Sequence, residues 1–388
     1  MIKTLIAHTS EIDDIGAAVR EVTAQLDLEN SLCANSLGIF ACHYDFVYSG
    51  AVKAISQALP FDVVGTVSVA QAVNGKTGDS ILTLMVLTSD DAFFVTQLTP
   101  SLRFDAAQAI REAYSEASSR KIGAPSLILS FAPFVAGNSG DEYVDAFTLI
   151  SEGIPCFGTM ATDDSDDLEH SLLLCNGEHY DDRMGVVLLY ADHCPRFFTA
   201  TLSPEKILDK KAALVTKSDG HIVLELNGRP VEEYFENLGL GSVSQTQYAM
   251  TSLPFILDYG DGTPSVSKVF LGRTSEKYAV CAGIMPEGST MSIGVFDKED
   301  VLFTTGQAVD RALADTGGLS CMLIYSCVSR SMSLEGDVMA ELELVKDRVG
   351  NKIPFMMTYS GGEMCPSRIS SSKAINRFHN NTFIVCLL

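Results

Sequence analysis

The chain has 388 residues, 49 acidic against 27 basic, and a net charge of −22. At roughly 100–200 residues per domain, this length implies two domains. An apolar fraction of 46 % with 20 % charged residues excludes disorder, and so acidic a surface excludes nucleic acid and anionic lipid as partners.

The N-terminal stretch from Met1 to His8 lacks the charged and apolar regions of a signal peptide. The richest apolar runs, Ser126–Ala136 and Gly185–Ala191, are far shorter than the roughly 20 residues a bilayer requires, so no membrane insertion is expected. Ten cysteines are scattered without a C-x-x-C pair, which points to a reducing cytoplasm and away from a disulfide framework.

A unit recurs three times along the chain. Each copy opens with a continuous apolar strand: Leu37–Cys42, Leu127–Ala132 and Met322–Cys327. A helix follows, with apolar residues at helical spacing (Val52, Ile55, Leu59; Tyr143, Phe147, Ile150; Val338, Leu342, Val345, Val349). The middle helix opens on Ser139-Gly-Asp-Glu142, a capping box. A second strand follows a proline each time, at Pro60, Pro155 and Pro354. It runs into a turn bearing Gln71, Asp163 or Asp164, and Glu363. Ile81–Leu87, Met184–Tyr190 and Phe383–Leu388 close the units.

The reading is a mixed α/β fold. Repeated strand–helix–strand–strand units form mixed sheets covered by helices, in two domains. Residues 1–225 would hold the units 37–88 and 127–190, and residues 226–388 the unit 322–388. The seam is expected within 225–250. The opening strands should be buried on both faces, being apolar throughout. Between the units, Asp105 caps a helix to Lys121, Asp219-Gly220 turns a hairpin, and Pro230–Leu238 and Thr305–Asp315 read as helices.

Several near-motifs have ordinary readings. Gly75-Lys76-Thr77 lacks the first glycine of a P-loop, Ala70 standing there, and reads as a hairpin turn. Gly239-Leu-Gly241 has no strand before it and reads as a loop. No two of the seven histidines are three or four residues apart, so no helical metal pair is expected, and no cofactor. The acidic run Asp163–Glu169 lacks the spacing of a calcium loop. Ser203-Pro-Glu-Lys206 and Ser370-Ser-Ser-Lys373 match S-x-x-K by spacing only.

Cys327 ends the third opening strand, where an α/β sheet presents side chains to a ligand. It reads as a small buried residue, a pocket wall, or a nucleophile with His379 as base. Tyr359-Ser-Gly-Gly-Glu363-Met-Cys-Pro366 sets a carboxylate in a glycine turn, and His379-Asn-Asn-Thr382 sets four polar groups before the closing strand. These groups either cap the sheet edge or converge on a ligand.

Ser326-Cys327-x-x-Arg330, Gly362-Glu363-Met-Cys-Pro366 and His379-Asn380-x-Thr382 resemble the FIST proteins, with their FIST N and FIST C domains. Ala213-Leu-Val-Thr-Lys-x-Asp-Gly-His and Leu-Asn-Gly-Arg-Pro230 resemble that family's domain junction, and the likeness runs from about Ser31 to the C-terminus. It implies a sensory module that binds a small ligand, usually proposed to be an amino acid, and is linked to signal transduction. Many relatives carry a fused kinase, cyclase or chemoreceptor part. Here signalling would pass to a separate protein partner. The family's N-terminal glycine–glutamate turn is replaced by Ala70-Gln71, so the ligand residues are expected in the C-terminal half.

Two functions follow. In a binding module, Glu363 faces the ammonium of an amino acid and Arg330 grips its carboxylate, unless the two only pair with each other. Cys327, Tyr359, Gly362, His379 and Asn380 shape the wall, and no residue is catalytic. In the alternative, Cys327 and His379 perform cysteine-dependent hydrolysis or acyl transfer.

Overall fold

In a computed structural model, which describes residues 1–165, 167–209, 211–241, 252–370 and 373–388, the three repeats are longer than the sequence pattern predicts. The first comprises β1 (Lys3–Thr9), α1 (Ile15–Leu26), β2 (Asn35–Cys42), α2 (Ala51–Ala58), β3 (Asp62–Val67), the hairpin β4 (Gln71–Val73) and β5 (Lys76–Gly78), and β6 (Leu82–Ser89). The second comprises β7 (Phe93–Leu98), α3 (Ala106–Ser119), β8 (Leu127–Ala132), α4 (Gly140–Ser151), β9 (Cys156–Met160), the hairpin β10 (Leu173–Cys175) and β11 (Glu178–Tyr180), and β12 (Gly185–Tyr190).

The third starts at β13 (Arg196–Ala200) and is interrupted by a β-rich insertion. That insertion contains β14 (Ala213–Asp219), β15 (Ile222–Leu226), β16 (Arg229–Pro230), α5 (Val231–Asn237), β17 (Phe255–Asp258), β18 (Val266–Lys268), β19 (Phe270–Arg273), β20 (Ala279–Cys281) and β21 (Thr290–Ile293). The repeat resumes with α6 (Lys298–Ala314), β22 (Met322–Cys327), α7 (Ala340–Val349), β23 (Phe355–Ser360), the hairpin β24 (Gly362–Ser370) and β25 (Lys373–His379), and β26 (Phe383–Leu387).

The local signals behave as physics requires. The Asp105 carboxylate accepts from the Gln108 amide at 2.8 Å, and Ser139 with Glu142 closes the capping box. The helix expected from Thr305 begins seven residues earlier. Asp297 caps it, accepting from the Asp300 amide at 2.8 Å, and its polar first turn carries no apolar periodicity. Gly75-Lys76-Thr77 leads from a hairpin turn into β5.

Each repeat pairs its opening and second strands in parallel: β2 with β3, β8 with β9, β22 with β23. The closing strands β6, β12 and β26 run antiparallel beside the opening strand, not beside the second strand. The second strand's free edge is taken instead by a hairpin from another repeat. β4–β5 of the first repeat joins β23 of the third, β10–β11 of the second joins β3 of the first, and β24–β25 of the third joins β9 of the second. This cyclic exchange leaves no second strand as an unpaired edge. Gln71 and Glu363 therefore stand in hairpin strands, not in the turns expected for them.

Among the described residues the result is three six-stranded sheets around a shared interior, with a fourth sheet formed by the insertion. The opening strands β8 and β22 are buried at every residue and β2 from Leu37 onward, as their unbroken apolar runs predict. One face of each lies in the common core, with Ile39, Leu129 and Leu323. The other lies under that sheet's own helices, with Phe40, Ile128 and Ile324. Position 225 falls within β15, in the fourth sheet. Residues 242–250 of the expected seam, Asp166 of the acidic run, and residues 371–372 of Ser370–Lys373 lie outside the described residues.

Candidate functional site

Side chains alternate along a strand, so the inward face of each sheet can be read from the core residues it carries. In β22 the inward set is Leu323, Tyr325 and Cys327. In β23 it is Met356, Thr358 and Ser360, and in β24 it is Glu363 and Cys365. Gln71 is the cross-strand partner of Thr358, and Glu363 that of Thr159. The equivalent position of the first sheet pairs Leu173 with Thr66. The three threonines are thus related by the repeat, and their hairpin partners differ: Gln71, Leu173 and Glu363. The interior is apolar along most of its length and polar at the end where the parallel strands finish.

Glu363 and His379 are direct partners across β24 and β25. Both are buried, at 0 % and 3 % exposure. Cys327 is the parallel-register partner of Ser360. Ser329 Oγ lies 3.1 Å from Cys327 Sγ and also donates to Asn381 Oδ1. Ser360 Oγ accepts from Thr159 Oγ1 at 2.8 Å and from the Gly362 amide at 3.1 Å. The insertion closes the end from above, the Asn380 amide donating to the Ser267 carbonyl at 3.0 Å in β18. Lys268 of β18, wholly buried, pairs with Asp141 of α4 at 2.8 Å and donates to the Phe378 carbonyl at 2.9 Å.

Buried polar atoms here lack hydrogen bonds. Both carboxyl oxygens of Glu363, His379 Nδ1, Asn380 Oδ1, Asn381 Nδ2, Gln71 Oε1 and Ser267 Oγ have no partner. Such groups are rare in protein interiors, and their concentration at one end is the site's main chemical feature. Burial pushes the Glu363 carboxyl well above the usual carboxylate range. Ser360, Arg330 and Cys327 counteract this only in part, and no bond of ordinary geometry reaches either oxygen. Burial holds His379 neutral, its pKa lowered to about 3, with Lys268 adding to the effect. Burial, then the Glu363 charge, pushes the Cys327 thiol up to about 12.

Of the residues expected here, Cys327, Glu363, His379 and Asn380 come together. Arg330 does not face Glu363. It is wholly buried, and its Nε donates to Glu341 Oε1 at 3.0 Å. Its Nη2 donates to the Val301 carbonyl at 3.0 Å and to Thr305 Oγ1 at 2.7 Å, and its Nη1 to the Thr201 carbonyl at 3.4 Å. Glu341 lies in α7, and Ser326, on the outward face of β22, bonds its other oxygen at 2.8 Å. Arg330 thus joins the third sheet to its helices and has no free face for a carboxylate.

Tyr359 also points outward, donating to the Val338 carbonyl at 3.1 Å, because its neighbours Thr358 and Ser360 take the inward positions. Gly362 makes room for the Phe378 ring: a Cβ there would stand 2.4 Å from it. The glycine expected in a ligand wall is here where the Phe378 ring packs against the hairpin. Ser329, Thr159 and Ser267 carry no sequence signal, and Asn381 stands out only as part of the polar run His379–Thr382. Isolated serines, threonines and asparagines carry no pattern, and only the hairpin exchange gathers them.

Cys327, Glu363, His379 and Asn380 are all buried. A cavity of about 740 Å³ lies between residues 199–205 and α6. One of about 190 Å³ is lined by Asp141, Tyr259, Arg377 and Phe378. Neither is lined by Glu363. No group of three or more histidine, cysteine or carboxylate residues suited to a metal ion occurs among the described residues. Cys327 makes no hydrogen bond to His379, and its high thiol pKa removes the thiolate a nucleophile needs.

No curated protein sequence matches the chain. Among solved structures, cyanuric acid hydrolase from A. caulinodans is similar at 12 % identity and a TM-score of 0.37, covering 100 % of this chain and 99 % of that one. Phosphoribosylformylglycinamidine synthase II from Thermotoga maritima is similar at 10 % identity and a TM-score of 0.20, covering 100 % and 71 %. Likenesses this distant carry no functional argument. Family models are specific: the FIST N domain matches residues 36–229 and the FIST C domain residues 230–366, meeting within the fourth sheet. FIST domains are associated with sensory signal transduction and small-ligand binding. With both domains present in order along most of its length, the chain belongs to the FIST family.

Proposed function

We propose that this protein is a cytoplasmic sensory module whose polar interior end binds an amino acid or similar small metabolite and signals through a separate protein. The observation that carries the reading is the cluster of unpartnered buried polar atoms around Glu363. Leaving such groups without hydrogen bonds costs about 1–3 kcal/mol each, a cost that a ligand of matching polarity removes.

Glu363 would take the ammonium. Arg330 being committed to Glu341, the carboxylate would fall to neutral donors, Asn381 Nδ2 and His379. Asn380 Oδ1 is left as an acceptor for the ammonium. The cytoplasmic assignment is supported by the cysteines, all ten of which are free thiols. No described helix is long and apolar enough to cross a membrane.

A thermal-shift screen over the twenty amino acids tests the reading, because a ligand that binds only the folded state raises the melting temperature. At least one should stabilise the wild type and lose its effect in Glu363→Gln and Asn381→Ala. Stabilisation that survives both substitutions would move the ligand elsewhere.

A further inference from the structure

We propose that ligand binding at this end is coupled to the release of one proton, Glu363 being a neutral acid in the unliganded protein and a carboxylate against a bound ammonium. This rests on the small-ligand reading of the same site. Its basis is the charge accounting of the surrounding elements.

Three cations lie around this end, Arg330 acting on Glu363 and Lys268 and Arg377 on His379 opposite it, and each is already neutralised. Arg330, after β22, is bonded to Glu341 of α7. Lys268, on β18, is bonded to Asp141 of α4. Arg377, on β25, is bonded to Asp261 at 2.5 Å. The groups that face the carboxyl directly are uncharged. Thr159 comes from β9, the protonated Cys327 from β22, Ser360 from β23 and the neutral His379 from β25. An ionised Glu363 would therefore have neither a counter-charge of its own nor a hydrogen bond to either oxygen. Its raised pKa agrees with this placement.

An ammonium changes the balance by supplying the missing counter-charge. The carboxyl O–H bond breaks, its proton passes to solvent, and the oxygen accepts from the ligand N–H. Nothing is oxidised or reduced, and net charge is conserved. Apparent affinity for an ammonium should then rise roughly tenfold per pH unit, while the pH stays below the pKa values of both Glu363 and the amine. The sensor would report ligand and alkalinity together.

Two measurements test this. Infrared spectra of the unliganded protein at neutral pH should contain the C=O stretch of a protonated carboxylic acid that is missing from Glu363→Gln. Its absence from the wild type would overturn the proposal. Thermal shifts with propylammonium chloride, propionamide and sodium propionate, at equal ionic strength, provide the second. Propylammonium should stabilise the wild type, more at pH 8 than at pH 6, and not stabilise Glu363→Gln. No propylammonium shift, or a shift independent of pH, overturns the coupling. If propionamide stabilises equally and Glu363→Gln abolishes that effect, the small-ligand site stands and the coupling fails. If no probe's effect depends on Glu363, both fail.

Discussion

Glu363 and His379 stand opposite one another in the antiparallel ladder of β24 and β25, yet neither carboxyl oxygen nor His379 Nδ1 is hydrogen-bonded. Directly opposed residues have Cβ atoms about 4.5–5.5 Å apart, so the two share one environment. That environment shifts them in opposite directions, raising the acid and lowering the base, because burial disfavours the charged form of each.

The pair makes stability depend on pH from both sides. Above the ordinary Glu363 value of 4.5, the unfolded chain ionises this group while the folded protein keeps its proton. Stability falls as pH rises, by up to about 1.4 kcal/mol per unit, until the folded carboxyl also ionises. His379 acts at the other end: below its ordinary 6.5 the unfolded chain gains a proton that the folded one refuses down to about 3. Glu363→Gln should therefore be stabilised over wild type at pH 8 more than at pH 4, and His379→Gln the reverse. Urea unfolding at each pH measures this, and identical profiles for all three proteins would refute it.

Arg330 and Glu341 form a wholly buried ion pair. Arg330→Met leaves Glu341 unpaired and should cost about 3–5 kcal/mol, whereas Arg330→Met with Glu341→Leu should recover much of that loss. The comparison is made by chemical denaturation. A double variant as unstable as the sum of the single ones would mean the residues do not act as a pair.

Gly362 stands where a Cβ would meet the Phe378 ring at 2.4 Å. Gly362→Ala should destabilise by about 1–3 kcal/mol through overpacking, and Phe378→Leu introduced with it should relieve part of that cost. A double-mutant cycle with no coupling between the two positions would contradict the contact.

Cys327 should resist alkylation. Its thiol is 2 % exposed and its pKa is pushed up to about 12, while Cys194 is exposed. Iodoacetamide at neutral pH, followed by mass spectrometry, should modify Cys194 readily and Cys327 only after denaturation. Fast native labelling of Cys327 would reopen the nucleophile reading.

The sequence by itself determined the elements and their repetition. An unbroken apolar run such as Leu127–Ala132 can be buried only on both faces, and Ser139 with Glu142 can only start a helix; both are local facts of burial and backbone hydrogen bonding. Cys327, Glu363, His379 and Asn380 were legible as candidates because each is a polar or thiol side chain beside the end of an apolar strand. What each strand pairs with was decided by tertiary structure alone. Any of the three second strands offers the same free edge, and the choice of a hairpin from another repeat depends on how the sheets close around their interior. That closure set the strand faces, turning Tyr359 outward and Ser360 inward. It also gave Arg330 to Glu341, a partner on a separate helix whose approach no spacing in the chain records.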